Sequence, residues 1–210
     1  MKLILTVDHV SAVEGLSIAK AVAEHIDWVE VGSSMIKRFG VGYVSEMKEA
    51  LPDKLLLAAL KTIDDAEWEV DMACRAGADL MTVLGSATEM TAAAAVNTAR
   101  RHDRRIVMDL VAVPNLQVIV RRMSLRGVSY FQFCPAPPKP GQGEGAFMED
   151  IATITSTSEL PLIVSADVSA TVLERCKRFS PAAARTRKSI LEAPDPVAAA
   201  QHLRAVVRRS

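Results

Sequence analysis

Short apolar runs alternate with longer amphipathic stretches from one end of the chain to the other. The runs are Leu3–Val7, Trp28–Val31, Leu55–Leu60, Leu80–Leu84, Ile106–Leu110, Val128–Phe133, Leu160–Ser165 and, less pronounced, Pro181–Thr186. Most are apolar throughout rather than alternating, the pattern of a strand covered on both faces in a parallel sheet. Between them Val10–His25, Asp64–Ala76, Ala87–His102 and Pro194–Arg208 carry helical spacing. Some of these helices bring their own punctuation. Asp195-Pro196 sets a capping acid before a proline at the first helical position, and Gly77 and Gly127 stand where a left-handed residue would close a helix. Eight strands alternating with helices predict an α/β fold, a (β/α)8 TIM barrel, as one domain over residues 1–210. A doubly wound open sheet is the alternative, and the count of eight favours the barrel. Pro135–Gly145, with four prolines and three glycines, predicts a loop that could serve as a lid or as a stiff surface connection.

Composition narrows the function classes. With 210 residues, half of them hydrophobic, the chain can bury one sizeable core. Lys plus Arg and Asp plus Glu number 25 each, so there is no net charge and no electrostatic case for nucleic acid. Arg204, Arg208 and Arg209 on the last predicted helix read as a solvated face that complements the helix dipole. Cys74, Cys134 and Cys176 are odd in number and far apart, which fits a reducing compartment and opposes a disulfide framework or structural zinc. Met1 to Asp8 reads as a strand rather than a signal peptide. No apolar stretch approaches the roughly 20 residues needed to span a bilayer. The expectation is a soluble, cytoplasmic protein with a small-molecule substrate and neither nucleic acid nor membrane as partner.

In a barrel, the residues that end each strand form the ring where substrate binds. The first strand ends in Asp8-His9, the second in Glu30, the third in Lys61, the fifth in Asp109, the sixth in Cys134 and the seventh in Ser165-Ala166-Asp167. The eighth leads to Arg185, Arg187 and Lys188. Carboxylates ending several apolar strands, with a lysine ending another, point to acid–base catalysis. A cysteine thiol, titrating near about 8.5 when unperturbed, could move a proton or act as nucleophile at Cys134. A small buried residue is the competing reading of Cys134.

The segment Ala59-Leu60-Lys61-Thr62-Ile63-Asp64 resembles the Asp-x-Lys-x-x-Asp motif of the orotidine 5'-monophosphate decarboxylase superfamily. In particular it is similar to the hexulose-6-phosphate synthase and 3-keto-L-gulonate-6-phosphate decarboxylase branch. Leu3–Asp8, Ile26–Gly32, Ala76–Ser86 and Ile106–Leu110 resemble the first, second, fourth and fifth strands of that branch. The resemblance implies a barrel in which Lys61 carries the proton and Asp64 reaches the partner's site across a homodimer interface. It also implies that Asp8 contacts substrate, that Glu30 helps hold magnesium, and that Asp109 matches a family acid. The activities it implies are condensation of formaldehyde with ribulose 5-phosphate and decarboxylation of a keto-sugar phosphate.

The departures from that pattern fall on the chemistry. Ala59 stands where the family has the second magnesium carboxylate, and a lone Glu30 is a poor site for an ion that wants several oxygens in octahedral geometry. Cys134 stands where the family has a histidine. The family's phosphate-binding glycines align with Ala166 and Asp167, and its Gly-Arg-Ser turn reads Arg187-Lys188-Ser189. A carboxylate at Asp167 would repel a phosphate dianion unless a cation lay between them. The first expectation is therefore a diverged decarboxylase/aldolase-superfamily enzyme acting on a non-phosphorylated substrate. Its catalytic set is Lys61, Asp64, Asp109, Glu30 and Cys134; its binding set is Asp8, His9, Ser165, Asp167, Arg187 and Lys188. It needs no cofactor, magnesium entering only if Glu30 finds replacement ligands. A hexulose-6-phosphate synthase-type carbon–carbon lyase is one alternative, and a non-catalytic dimeric binding or partner protein is the other.

Overall fold

The computed structural model describes residues 1–134, 144–165 and 170–208. Eight parallel strands close into a barrel in sequence order, with the eighth paired back onto the first. The first half runs β1 (Lys2–Val7), α1 (Ala12–Ala21), β2 (Trp28–Val31), α2 (Ser33–Phe39), α3 (Gly42–Ala50), β3 (Leu55–Thr62), α4 (Ala66–Arg75), β4 (Leu80–Leu84) and α5 (Glu89–Arg101). The second half runs β5 (Arg105–Asp109), α6 (Leu116–Ser124), β6 (Tyr130–Phe133), α7 (Glu144–Thr157) and β7 (Leu162–Ser165). It ends with α8 (Ala170–Cys176), β8 (Ala183–Thr186), α9 (Lys188–Leu191) and α10 (Pro196–Arg208). All eight predicted strands are present, their ends shifted by no more than two residues, and closure excludes the open sheet.

Strand alternation sorts the side chains. Leu3, Leu5, Val29, Val31 and Leu56 face outward and pack under the helices in the main core. Ile4, Trp28, Leu57, Leu80, Val107, Ile163 and Ala183 face inward as a separate apolar cluster that plugs the lower barrel. Trp28 meets Tyr130 there edge to face, ring centroids 5.6 Å apart. Two residues further along, the same parity puts Thr6, Glu30, Ala59, Thr82, Asp109, Gln132, Ser165 and Arg185 in an upper, largely polar layer.

Local signals account for several boundaries. The Asp195 carboxylate accepts from the Ala198 N–H at 3.0 Å, and Pro196 opens α10. Gly77 and Gly127 have φ of 94° and 80° just past α4 and α6, a region closed to most residues with a Cβ. Two expectations need correction. Arg204 does not lie on a solvated face: its guanidinium reaches the Asp27 carboxylate at 3.1 Å with both side chains mostly buried, because α10 packs on β1 at the lower rim. Helix α7 begins at Glu144, inside the stretch read as a loop; the rest of that stretch, 135–143, and Arg209 lie outside the described residues. None of the three cysteines forms a disulfide. Among the described residues no helix is long and apolar enough to cross a membrane.

Candidate active site

The carboxyl ends of the strands surround a cavity of about 470 Å³. Its lining includes Asp8 and His9 after β1, Glu30 on β2, Lys61 on β3, Cys134 after β6, Ser165 on β7, Arg185 on β8, and Arg187. Residues far apart in sequence meet here because each ends, or nearly ends, a strand of one closed sheet.

Lys61 owes its position to an irregularity in β3. Pairing with β4 runs Leu57 to Leu80 and Ala58 to Met81, then shifts so that Thr62 faces Val83. At the shift Lys61 takes φ +54°, and its N–H donates to Thr82 Oγ1 at 2.9 Å. A bulge of this kind re-aims a side chain, and a left-handed lysine is strain that the surrounding pairing must hold. The ammonium then lies 3.5 Å from the Asp109 carboxylate. Asp109 is buried, and its other oxygen accepts from the Val111 N–H at 3.0 Å.

On the neighbouring strand β2, Glu30 is fully buried. Its Oε2 accepts from Thr6 Oγ1 at 2.5 Å and its Oε1 from Arg185 Nη1 at 2.9 Å. Burial pushes the Glu30 carboxyl above the usual carboxylate range, Asp109 adds to this, and Arg185 and Thr6 oppose it. Burial works against the Arg185 charge, but Glu30, Cys134 and Asp109 outweigh it, so the guanidinium holds its proton more firmly than usual. Asp8 accepts from the Ser34 hydroxyl and lies 3.5 Å from His9 Nε2. Gly32 makes room for that carboxylate, since a Cβ there would come within 2.3 Å of Asp8 Cγ. His9 also has a left-handed φ, 62°.

Of the residues expected from sequence, Asp8, His9, Glu30, Lys61, Cys134, Ser165 and Arg187 line one cavity, and Asp109 stands behind Lys61. Lys188 is exposed as the first residue of α9 and lies outside the lining. Asp64 is exposed at the start of the β3–α4 connection, its carboxylate accepting from the Asp65 N–H at 2.8 Å. Asp167 and Ala166 lie outside the described residues. Arg185 lies within β8, inside the predicted run Pro181–Thr186, and points into the barrel at Glu30, a partner that the sequence did not indicate. Sequence reasoning missed Thr6, Thr82 and Gln132 altogether. Their signal was available, because a polar residue at the inward parity of an otherwise apolar strand has to face the barrel interior. The side-chain Oε1 and Nε2 of Gln132 are buried with no hydrogen-bond partner among the described residues.

Known proteins match along the whole chain. Residues 1–132 match the model of the orotidine 5'-phosphate decarboxylase / HUMPS family. A 3-hexulose-6-phosphate synthase of Mycobacterium gastri is 31% identical over 207 residues, covering 99% of this chain and 100% of that protein. Another from Bacillus subtilis (strain 168) is 32% identical over 157 residues, 75% of this chain and 74% of that protein. A crystal structure of 3-hexulose-6-phosphate synthase superposes with a TM-score of 0.91 at 32% identity, over 99% of this chain and 100% of the other.

Proposed function

The chain belongs to the orotidine 5'-phosphate decarboxylase / HUMPS family, and within it we propose a carbon–carbon lyase of the 3-hexulose-6-phosphate synthase type. This prefers the alternative over the first expectation of a diverged decarboxylase/aldolase-superfamily enzyme acting on a non-phosphorylated substrate. The named relatives support it, and they lend nothing to a non-catalytic role.

The Lys61–Asp109 pair carries the reading. An aldol-type bond needs a proton carrier beside the substrate carbonyl and a fixed charge to keep that carrier in register. In the synthetic direction Lys61, after its ammonium has released a proton to solvent, takes as the neutral amine the proton next to a ketose carbonyl. The electron pair of that C–H bond becomes the double bond of an enediolate, whose carbon then bonds to the aldehyde carbon. The aldehyde oxygen receives the proton. Arg187 supplies positive charge at the cavity for a phosphate group, and Asp8 and Ser165 supply hydrogen bonds for sugar hydroxyls. Cys134 lines the same cavity and takes the place of the family histidine as a polar wall.

Asp64 fits this scheme as a contribution to the site of a second copy. Ile63, Trp68, Met72 and Met90 are exposed around the β3–α4 connection and on α4 and the start of α5, which pack together. An apolar surface of that kind suits a homodimer contact.

The test is formation of hexulose 6-phosphate from formaldehyde and ribulose 5-phosphate by the purified protein. Lys61→Ala is expected to lower kcat by about 10²–10⁴-fold with an unchanged circular dichroism spectrum. Asp64→Ala is expected to be impaired as well, and mixing the two variants to restore part of the activity through hybrid dimers. A wild-type protein without turnover on this pair would overturn the reading.

A further inference from the structure

Family resemblance implies magnesium held by the glutamate at position 30 and an acid at position 59. The donor set of this chain does not fit that ion. Ala59 offers a methyl group, and both Glu30 oxygens are engaged, one by Thr6 and the other by the Arg185 guanidinium at 2.9 Å. Among the described residues no three His, Cys, Asp or Glu side chains come together as a metal cluster. A dication held by Glu30 would sit against a fixed guanidinium, and the neighbouring carboxylate, Asp109, is already engaged by Lys61 and the Val111 N–H.

We propose that Arg185 takes the place of the divalent cation: its guanidinium, anchored on Glu30, is the positive group facing the substrate oxygen, and the site excludes a metal. The geometry suits the part. Arg185 lines the cavity, its side chain is 16% exposed, and it projects from β8 past β1 to Glu30 on β2. A guanidinium offers several N–H donors in a rigid fork, so one edge can hold the carboxylate while another faces an oxygen that gains negative charge. Such a donor stabilises an enediolate oxygen as a Lewis acid would, without needing to be bound from solution. Ala59 and Arg185 then complement each other: the site lacks a carboxylate ligand at one position and holds a permanent cation at the other. The catalytic half of this proposal rests on the carbonyl chemistry proposed above, whereas exclusion of the metal does not.

Mn²⁺ binding to chelator-treated protein, followed by the loss of the free-ion electron paramagnetic resonance signal, tests the exclusion without any substrate. Wild type is expected to bind none at millimolar Mn²⁺, and Ala59→Asp combined with Arg185→Ala to bind one ion per chain. Circular dichroism reports whether that variant is folded; if it is not, the wild-type titration still decides. One Mn²⁺ per wild-type chain, abolished by Glu30→Gln, would overturn the proposal. With formaldehyde and ribulose 5-phosphate, wild-type turnover is expected to be unchanged by a chelator, and Arg185→Lys to lose about 10²–10³-fold in kcat with a smaller change in KM. Turnover that a chelator abolishes would also overturn it. A protein inactive on these substrates that still binds no Mn²⁺ would sink the synthase reading while leaving metal exclusion supported.

Discussion

Trp28 and Glu30 are two residues apart on β2, face the same way and are both buried, yet one belongs to an apolar plug and the other to a charged floor. Below, Ile4, Trp28, Leu57, Leu80, Val107, Ile163 and Ala183 need only shape to be stable, because each gains by leaving water. Above, Glu30 and Asp109 gain nothing from burial and must be compensated by Arg185, Thr6, Lys61 and the Val111 amide. A short distance along the barrel axis thus divides a region that stabilises the fold unconditionally from one whose stability depends on every partner being present. Chemistry sits in the second, where polar groups are already held in place before substrate arrives.

Trp28→Ala breaks the comparison most severely. The plug loses its largest side chain and its edge-to-face contact with Tyr130, and the closed sheet cannot collapse to fill the gap. The expected loss of stability is about 3–5 kcal/mol, read from urea denaturation. KM of the protein that remains folded should be unchanged. A loss below about 1 kcal/mol would show that the lower layer is not what holds the barrel together.

A smaller effect is expected at Asp27, which closes the lower rim. Its carboxylate accepts from the Leu3 N–H at 2.9 Å and pairs with Arg204 at 3.1 Å and Lys2 at 3.3 Å. Burial pushes this carboxyl up, but the Leu3 amide, Arg204 and Lys2 outweigh it and hold the pKa below the ordinary 3.8. A carboxyl depressed on folding stabilises fully above its unfolded pKa, and that contribution disappears as pH falls through the lower, folded value. Asp27→Asn should therefore cost about 1–2 kcal/mol at pH 7. The gap to wild type should persist down to about pH 4 and close below it. A gap that closed between pH 7 and 5 would mean that another group is responsible. Glu30 has the opposite sign: its raised pKa means that ionising it with rising pH works against the folded state.

The two layers also differ in how openly the sequence declares them. Runs such as Leu80–Leu84 and Trp28–Val31 mark their strands because a strand buried on both faces has to be apolar. Once the runs are placed, Asp8, Glu30, Lys61, Asp109, Cys134 and Ser165 follow as strand ends, and all of them meet at the cavity or directly behind it. Partnerships inside the upper layer are another matter. Glu30 and Arg185 are 155 residues apart and join only because β8 closes onto β1, so spacing along the chain carries no trace of the pair. Nor does composition reveal the register shift that turns Lys61 into the mouth. The break between α2 and α3, at Gly40 with φ 75°, was equally hidden in a stretch that has no apolar strand to frame it.

Gln132 sharpens the comparison by the smallest step. It is fully buried beside Asp109 in the upper layer, and neither end of its amide has a partner among the described residues. An amide in that position contributes the cost of desolvation without the return of a hydrogen bond. Gln132→Met keeps much of the volume and removes both polar atoms, moving one position of the charged floor toward the chemistry of the plug. The expected result is a gain of about 1 kcal/mol in chemical denaturation. Stability here would rise as polarity falls, the reverse of what removal of Arg185 should do to the buried Glu30 carboxylate. A loss of stability instead would mean that Gln132 finds its partners outside the described residues, and that the upper layer is as fully satisfied as the lower one is packed.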